Sequence, residues 1–270
     1  MAQEYKLPAV HHQVAVTIPA DMQIPENFKL DKNKQLQCAT CHGIADIENI
    51  PLEEIDPQAT DFLNGGPYQK LTNFCYACHD KQDNQKLNIH KMLNKQQQVN
   101  QDHCDFCHLE IPDPAEPPGK EVLKFRLPKA KLCWGCHLKT PHLNAITHQQ
   151  KLSDKMLEQL QKTQDQQQIR FPLGEDKQVI CITCHNSHQY GVLDADSEAG
   201  KQIANTDLDT GISYQPHAWN EVYQQDKQKR LEEAGRSVHE LTYQRLSTEV
   251  LLRLTAKDGS LCRVCHSFKD

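Results

Sequence analysis

The chain has 270 residues, enough for one or two ordinary domains, with 37% hydrophobic residues, 6% aromatic residues and a mean hydropathy of −0.73. Its formal net charge of −6 at pH 7 argues against nucleic acid as a partner, because a negative surface repels phosphate. No stretch approaches the roughly 18 consecutive apolar residues of a membrane-spanning helix, so we expect a soluble chain with few apolar side chains for a core.

The first 36 residues contain no cysteine, and spaced prolines at positions 8, 19 and 25 favour an extended arm there. Its two adjacent imidazoles, His11 and His12, are the notable side chains of this segment. We expect this arm, residues 1–36, to lie over the first site that follows it in the chain.

Six copies of Cys-x-x-Cys-His follow, and together they use all 12 cysteines. This motif is typical of c-type haem attachment. Two thiols on one helical turn can add to the two vinyl groups of one porphyrin, and the next residue brings an imidazole to the iron. The chain is therefore predicted to bind six covalent haems through Cys38, Cys41 and His42; Cys75, Cys78 and His79; Cys104, Cys107 and His108; Cys133, Cys136 and His137; Cys181, Cys184 and His185; and Cys262, Cys265 and His266.

Other uses of paired cysteines match the pattern less well. Zinc ribbons combine two Cys-x-x-Cys units around one metal and have no need of a His after each unit. Redox dithiols occur singly beside a βαβ pattern, and a disulfide framework does not require identical local spacing six times. Haem attachment is thus the interpretation that uses every motif residue.

The motifs divide the rest of the chain into three segments. Residues 37–115 hold the first three motifs, with a predicted turn at Asn64-Gly65-Gly66-Pro67. A proline-rich joint at 111–119 ends this segment, since proline continues neither a helix nor a central strand. Residues 116–190 hold the fourth and fifth motifs, and residues 191–270 hold the sixth.

Helical periodicity appears in two places. Leu152, Met156 and Leu160 repeat every four residues, with Ser153 as a candidate cap and a Gln-rich, solvated tail at 164–168. In the last segment, Trp219, Val222 and Tyr223 predict one helix, and a second is predicted over Tyr243, Leu246, Val250 and Leu254, with Gly235 between the two.

A short internal echo accompanies the motifs. Phe125-Arg126-Leu127 leads through a basic turn to Cys133, and Leu252-Arg253-Leu254 leads through another to Cys262. Duplication of a haem-binding unit would explain this echo, and so would coincidence, because only about 15 residues are involved.

Second axial ligands are expected among the nine His that lie outside the motif positions. His188 lies three residues after His185, too near to bind the same iron from the opposite face, so we expect it to reach a neighbouring haem. His90, His142 and His148 are the other stronger choices. The distal candidates are His12, His90, His142, His148, His188 and His217, with His11, His103 and His239 in reserve.

The segment Cys181-Ile-Thr-Cys184-His185-Asn-Ser-His188 is similar to the Cys-His-Asn-Pro-His element of the doubled-CxxCH proteins, with Ser187 in place of proline. The chain thus resembles a hexahaem, bacterial multihaem c-type cytochrome. The resemblance implies stacked bis-His haems, a mainly irregular backbone with short α-helices wrapped around them, little β-structure, and electron transfer outside the cytoplasm.

The leading functional expectation is an electron carrier that is not an enzyme, with close, low-potential bis-His haems and redox proteins as partners. One alternative is reduction of a small nitrogen or sulfur oxyanion at one open haem. Another is a homo-oligomeric filament in which the arm's His11 and His12 ligate a haem of the next copy. None of the six motifs carries the Lys that often replaces the motif His at the catalytic haem of pentahaem nitrite reductases.

Haem attachment outside the bacterial cytoplasmic membrane predicts a periplasmic or extracellular protein. The start Met1-Ala2-Gln3-Glu4 has no signal character, so we expect a removed leader. Because apolar side chains are few and the motifs are spread along the chain, we also expect folding to depend on haem attachment.

Overall fold

The structure is a computed structural model that describes Leu7 and residues 11–68, 70–85, 87–112, 123–138, 148–194, 200–203, 207–213, 220–235 and 248–267. The chain forms two compact units. The first unit comprises Met1–Ile89 and Gln101–Lys139, and the second comprises His90–Asn100 and Thr140–Asp270. Four motifs belong to the first unit and two to the second, while the finer division at residues 36, 115 and 190 stays a prediction.

Short helices in the first unit coincide with the motifs. Helix α1 is Cys38–Cys41 and helix α2 is Leu71–Cys75, while 3₁₀ turns occur at Ile47–Asn49 and Gln101–Phe106. Between α1 and α2 the predicted turn is present, and Gly65 takes a left-handed φ of 75° that a residue with a side chain rarely adopts. In the described part of this unit the backbone therefore consists mainly of turns and irregular segments.

The second unit contains the longer helices. Helix α3 is Asp154–Gln167, α4 is Cys181–Cys184, α5 is Asn220–Glu233 and α6 is Ser260–Arg263. A 3₁₀ turn covers Glu175–Lys177. Strand β1, Ile212–Ser213, pairs antiparallel with β2, Thr248–Glu249, so that Ile212 lies opposite Glu249.

The predicted fold class is confirmed at this coarse level: the described residues are mostly irregular, with short helices and one two-residue strand pair. In the same residues, no helix combines the length and apolarity that crossing a membrane requires.

The helix around Leu160 is confirmed in detail. Ser153 is its N-cap, and the Ser153 hydroxyl accepts a hydrogen bond from the amide of Met156 at 3.3 Å. Leu160 is buried, and the helix ends at Gln168 in a left-handed conformation after an exposed Gln-rich turn. Helix α5 confirms that the segment around Val222 is helical, although Val222 is exposed and Trp219 lies outside the described residues, and the chain leaves the helix at Gly235 with φ 68°.

Two sequence predictions are wrong. Val250 and Leu254 do not continue a helix, because the backbone between them bonds to the fifth motif: Asn186 donates to the Leu251 carbonyl and Arg253 to that of Cys184. The arm is not extended between residues 15 and 36 either. It folds back on itself, since Ala15 donates to the carbonyl of Leu36 and Leu36 donates to that of Val16.

An apolar cluster lies in the second unit, where one face of α3 packs against the chain before α4 and the residues after α6. Met156, Leu157, Leu173, Leu254, Leu261 and Cys265 extend this cluster with partly buried side chains. Its fully buried members are Leu152, Leu160, Ile169, Phe171, Val179 and Val264. Each such aliphatic or aromatic side chain contributes about 1.5–3 kcal/mol by leaving water, so the cluster is a protein core beside the sixth motif.

Candidate haem-attachment sites

All six motifs share one backbone hydrogen bond. In each, the amide of the motif His donates to the carbonyl of the first Cys, over 2.8 to 3.0 Å. This bond closes one helical turn, and side chains three residues apart on such a turn lie on the same face. The two thiols of every motif are thus presented together, next to an imidazole, and all 12 cysteines are free of disulfides.

The first and fifth motifs also share a buried threonine between their cysteines. The Thr40 hydroxyl donates to the Lys29 carbonyl at 2.7 Å and accepts the Gln37 amide at 3.1 Å. The Thr183 hydroxyl likewise donates to Pro172 at 2.5 Å and accepts the Ile180 amide at 3.0 Å. Each threonine therefore ties its motif turn to the chain that precedes it.

The motifs associate in consecutive pairs, through the second cysteine of each motif. Burial raises the pKa of Cys41, and Cys78 of the next motif raises it further. Burial and then Cys136 raise the pKa of Cys107 to about 11. In the second unit, burial and then Cys265 raise the pKa of Cys184 to about 11. The first and second, third and fourth, and fifth and sixth motifs are thus close neighbours.

A short segment before the second motif of each pair bonds back to the first motif. We call these three segments the straps: residues 61–64, 124–126 and 251–253. The residue after each first-motif His donates its amide to the strap, at 2.8 to 3.0 Å; the donors are Gly43, Leu109 and Asn186. In return, one amide of each strap donates to the carbonyl of the second cysteine of the first motif, at 2.9 to 3.0 Å; these donors are Asn64, Arg126 and Arg253.

The straps give the sequence echo a structural counterpart. Phe125 forms an antiparallel bridge with His108, and Leu252 forms the equivalent bridge with His185. An aromatic strap side chain also lies against the motif imidazole in the first two pairs, with ring centroids 5.0 Å apart for His42 and Phe62 and 5.1 Å apart for His108 and Phe125.

Three motif imidazoles face a His from outside the motifs. The ring centroids are 6.1 Å apart for His11 and His42 and 5.6 Å apart for His12 and His79, with interplanar angles of 11° and 17°. In the second unit, the rings of His148 and His266 are 6.3 Å apart and perpendicular, at 89°.

The centroid separations are of the size that two imidazoles on one iron would have, and the first two pairs are stacked while the third is perpendicular. Two metal–nitrogen bonds of about 2 Å each and two ring radii of about 1 Å each give roughly 6 Å between ring centroids. The same rings at this distance can also form an ordinary aromatic contact. Each pair nevertheless joins a motif His to a non-motif His, which is the combination that bis-His ligation needs.

Several imidazoles are oriented by their Nδ1 atoms. Nδ1 of His42 donates to the Phe62 carbonyl at 2.7 Å, and Nδ1 of His185 donates to Val250 at 3.0 Å. A carbonyl only accepts, so the hydrogen lies on Nδ1 and the lone pair of the neutral ring lies on Nε2. Three non-motif His are oriented in the same way. Their Nδ1 atoms donate to backbone carbonyls: His11 to that of His12 at 2.8 Å, His90 to that of Ser187 at 3.0 Å and His103 to that of Ile89 at 3.1 Å.

Burial favours the neutral form of three imidazoles, those of His12, His42 and His108, and a metal ligand requires that form. Desolvation lowers the pKa of His108, and it lowers that of His42 against the opposing effect of the Phe62 carbonyl. Desolvation, followed by the charges of His79 and His11, lowers the pKa of His12.

The predicted distal His are placed in three groups. His12 and His148 face motif imidazoles, as does the reserve residue His11. His90 bonds to the loop after the fifth motif, His188 lies in that loop and its amide donates to Asn186 Oδ1 at 3.2 Å, and His103 is buried. The predicted ligands His142 and His217 and the reserve His239 lie outside the described residues.

Sequence reasoning missed the first strap and the motif threonines, whereas the echo had already singled out residues of the other two straps. The signal for the threonines was present, since Cys-Ala-Thr-Cys-His and Cys-Ile-Thr-Cys-His share Thr at the same position. The strap residue Asn64 had no such signal, because its role depends on a partner about 25 residues earlier in the chain.

Among the described residues, no group of three or more His, Cys, Asp or Glu is arranged as a site for a bare metal ion. Comparison of the chain with protein-family models, with curated proteins and with solved structures finds no match in any of the three.

Proposed function

We propose that this protein is a hexahaem c-type cytochrome that transfers electrons. The observation that carries the proposal is the combination of six motifs with one shared backbone turn and three motif imidazoles that face a second His at 5.6 to 6.3 Å. A zinc ribbon or a redox dithiol has no use for these paired imidazoles.

Haem, when bound, supplies an iron that gains and loses one electron. The two cysteines of each motif would anchor the porphyrin, and the motif His would ligate its iron. His11, His12 and His148 are the proposed second ligands at the first, second and sixth motifs, where they exclude small molecules from the iron. The carbonyls that bond Nδ1 of His42 and His11 fix the orientation of these rings and leave Nε2 as the nitrogen that could bind a metal.

Proximity of the motifs suits a relay. His11 and His12 are adjacent, so their Cα atoms are about 3.8 Å apart, while their rings face two different motif His. Two irons bound there are held close by one peptide unit. The three pairs of neighbouring second cysteines extend the same closeness to every motif pair. Electrons can then pass between haems with no substrate chemistry.

The proposed partners are other redox proteins, and the proposed location is the periplasm or the cell exterior, where c-type haems are attached. The net charge of −6 favours partners with basic docking surfaces. A filament in which His11 and His12 serve the next copy is less well supported, since both rings face motif His of their own chain.

Mass spectrometry tests haem attachment directly. Protein matured in a competent host is expected to carry six haems with all 12 thiols in thioether bonds, because every cysteine belongs to a motif. Free thiols with bound zinc in such protein would overturn the proposal.

Electron paramagnetic resonance of the oxidised protein tests ligation. Low-spin iron is expected at most or all haems, and His12→Ala should convert one haem to high spin. His12→Met is the matched control, since its sulfur can still ligate and keep the iron low-spin while raising the potential. A high-spin signal in the unaltered protein that shifts with nitrite, hydroxylamine or sulfite, together with turnover of a reduced dye, would favour the reductase instead.

A further inference from the structure

The three straps place one residue in the same position in every motif pair. Asn64, Arg126 and Arg253 each donate a backbone amide to the carbonyl of the second cysteine, at 2.9, 3.0 and 2.9 Å. We call these residues the strap donors.

The side chains of the strap donors repeat a second bond. Asn64 Nδ2 donates to the Ala39 carbonyl at 2.9 Å, and Arg253 Nε donates to the Ile182 carbonyl at 3.1 Å. Arg126 Nε donates to the carbonyl of Asp105. In all three cases the acceptor is the residue directly after the first cysteine. The structural role that all three share is therefore this N–H donor, and it is filled by a neutral amide once and by a guanidinium twice; Asn64 Nδ2 also donates to the Thr40 carbonyl at 3.0 Å.

The positive charge exceeds what this structural role requires, since Asn64 fills it without one. Arg253 is only 7% exposed, and burying a cation costs free energy unless other groups compensate it. Burial lowers the pKa of Arg253 to about 10, and the neighbouring Cys184 opposes that shift. The guanidinium thus remains charged at neutral pH, next to a cysteine that would bear the haem edge.

We propose that the strap donor sets the reduction potential of the haem on the first motif of its pair, with Arg253 and Arg126 raising it and Asn64 leaving it low. This inference rests on the proposed haem attachment. Reduction adds an electron, and a nearby cation stabilises the reduced form, most strongly where water is excluded. Electrons on the first-motif haem are then favoured to move to the haems of the third and fifth motifs.

The effect is graded between the two arginines. Arg126 is half-buried, and the motif beside it contains Asp105, whose carboxylate acts on Cys104. Arg253 is buried, and the corresponding motif residue is the apolar Ile182. The fifth-motif haem is therefore expected to have the highest potential of the three.

A redox titration of the six-haem protein tests the proposal. Arg253→Gln keeps an N–H donor and removes the charge, so one of six components should shift to lower potential by about tenfold in its ferrous-to-ferric ratio, or about 59 mV for one electron. Arg253→Lys keeps the charge and should stay within a third of that shift. Equal shifts in both variants, or none in Arg253→Gln, would overturn the proposal.

The reverse substitution, which adds a charge, tests the same proposal if the Arg253 variants fail to fold. Asn64→Arg adds a charge at the first pair and should raise one component by a similar factor, whereas Asn64→Gln should not. An unchanged titration of a fully haem-loaded Asn64→Arg protein also contradicts the proposal. Haem stoichiometry is measured first on the unaltered protein, so a lack of haem refutes the proposed function, and six haems with unmoved potentials refute the strap-donor inference alone.

Discussion

The two units hold the same motif pair in different surroundings. In the second unit, the pair of the fifth and sixth motifs adjoins a cluster of six buried apolar residues that includes Leu160 and Val264. In the described part of the first unit, which carries four motifs, buried apolar residues such as Phe28, Ile47 and Leu63 do not join into a comparable cluster. On the proposed function, haem would replace a protein core mainly in the first unit.

Preventing haem attachment is expected to have the largest effect. With alanine at all 12 cysteines, the first unit should lose its slowly exchanging amides, because few protein contacts remain to hold its turns. Helix α3 and the chain packed on it should keep part of their protection, because six buried apolar side chains pack against one another there. Hydrogen exchange with peptide resolution measures both units in one sample.

The six-haem protein is the control for that experiment, and it should show protection in both units. Equal loss of protection in the two units of the haem-free protein would contradict the comparison, since it would mean that the apolar cluster also requires haem.

Leu160→Ala is expected to have the next largest effect, and only in the second unit. Leu160 is 4% exposed within the cluster, and truncating a buried leucine costs about 2–5 kcal/mol. Denaturant unfolding followed by the helical signal measures this loss. The exposed Glu158→Ala on the same helix is the control and should change the free energy of unfolding by less than about 0.5 kcal/mol.

A loss below about 1 kcal/mol for Leu160→Ala would mean that the cluster is not what stabilises the second unit. The spectra of haems on the first four motifs should be the same in both variants, since those motifs belong to the other unit.

The motif threonines allow the same substitution in both units. Thr40 and Thr183 are 2% and 3% exposed, and each hydroxyl makes two hydrogen bonds to the chain before its motif. Replacing either with valine removes the partner of one amide and one carbonyl, which are partly buried at Thr40 and more deeply buried at Thr183, at a cost of up to about 1–3 kcal/mol. Serine at either position retains the hydroxyl and should recover most of the loss.

Unfolding of the six-haem variants, monitored by hydrogen exchange in each unit, measures these costs. Similar values for Thr40→Val and Thr183→Val are expected, because the local bonds are the same. If Thr40→Val leaves the free energy of unfolding unchanged, haem alone holds the first motif turn, and the contrast between the two units is larger.

Local features of this fold were predictable and long-range ones were not. The six motif turns and the cap at Ser153 depend on residues within four positions of one another, so spacing alone identifies them. The sequence predicted that the arm lies over the first motif, but its spacing did not predict which of the two adjacent imidazoles, His11 or His12, has its ring beside His42. The helix wrongly predicted through Val250 had suitable periodicity, but bonds to a motif about 65 residues earlier prevailed.

The smallest expected effect concerns the start of helix α3. Ser153 satisfies one of the amides that a helix leaves without an internal partner, and replacing such a cap with alanine costs about 1 kcal/mol. Ser153→Asp should retain the stability, because aspartate caps equally well and its charge favours the helix N-terminus. Urea unfolding of the two variants measures the difference.

If the second unit is stabilised by its own protein core, Ser153→Ala lowers its free energy of unfolding even with all haems attached. An unchanged value in the six-haem protein would instead mean that haem attachment, and not α3, limits unfolding in this unit as well.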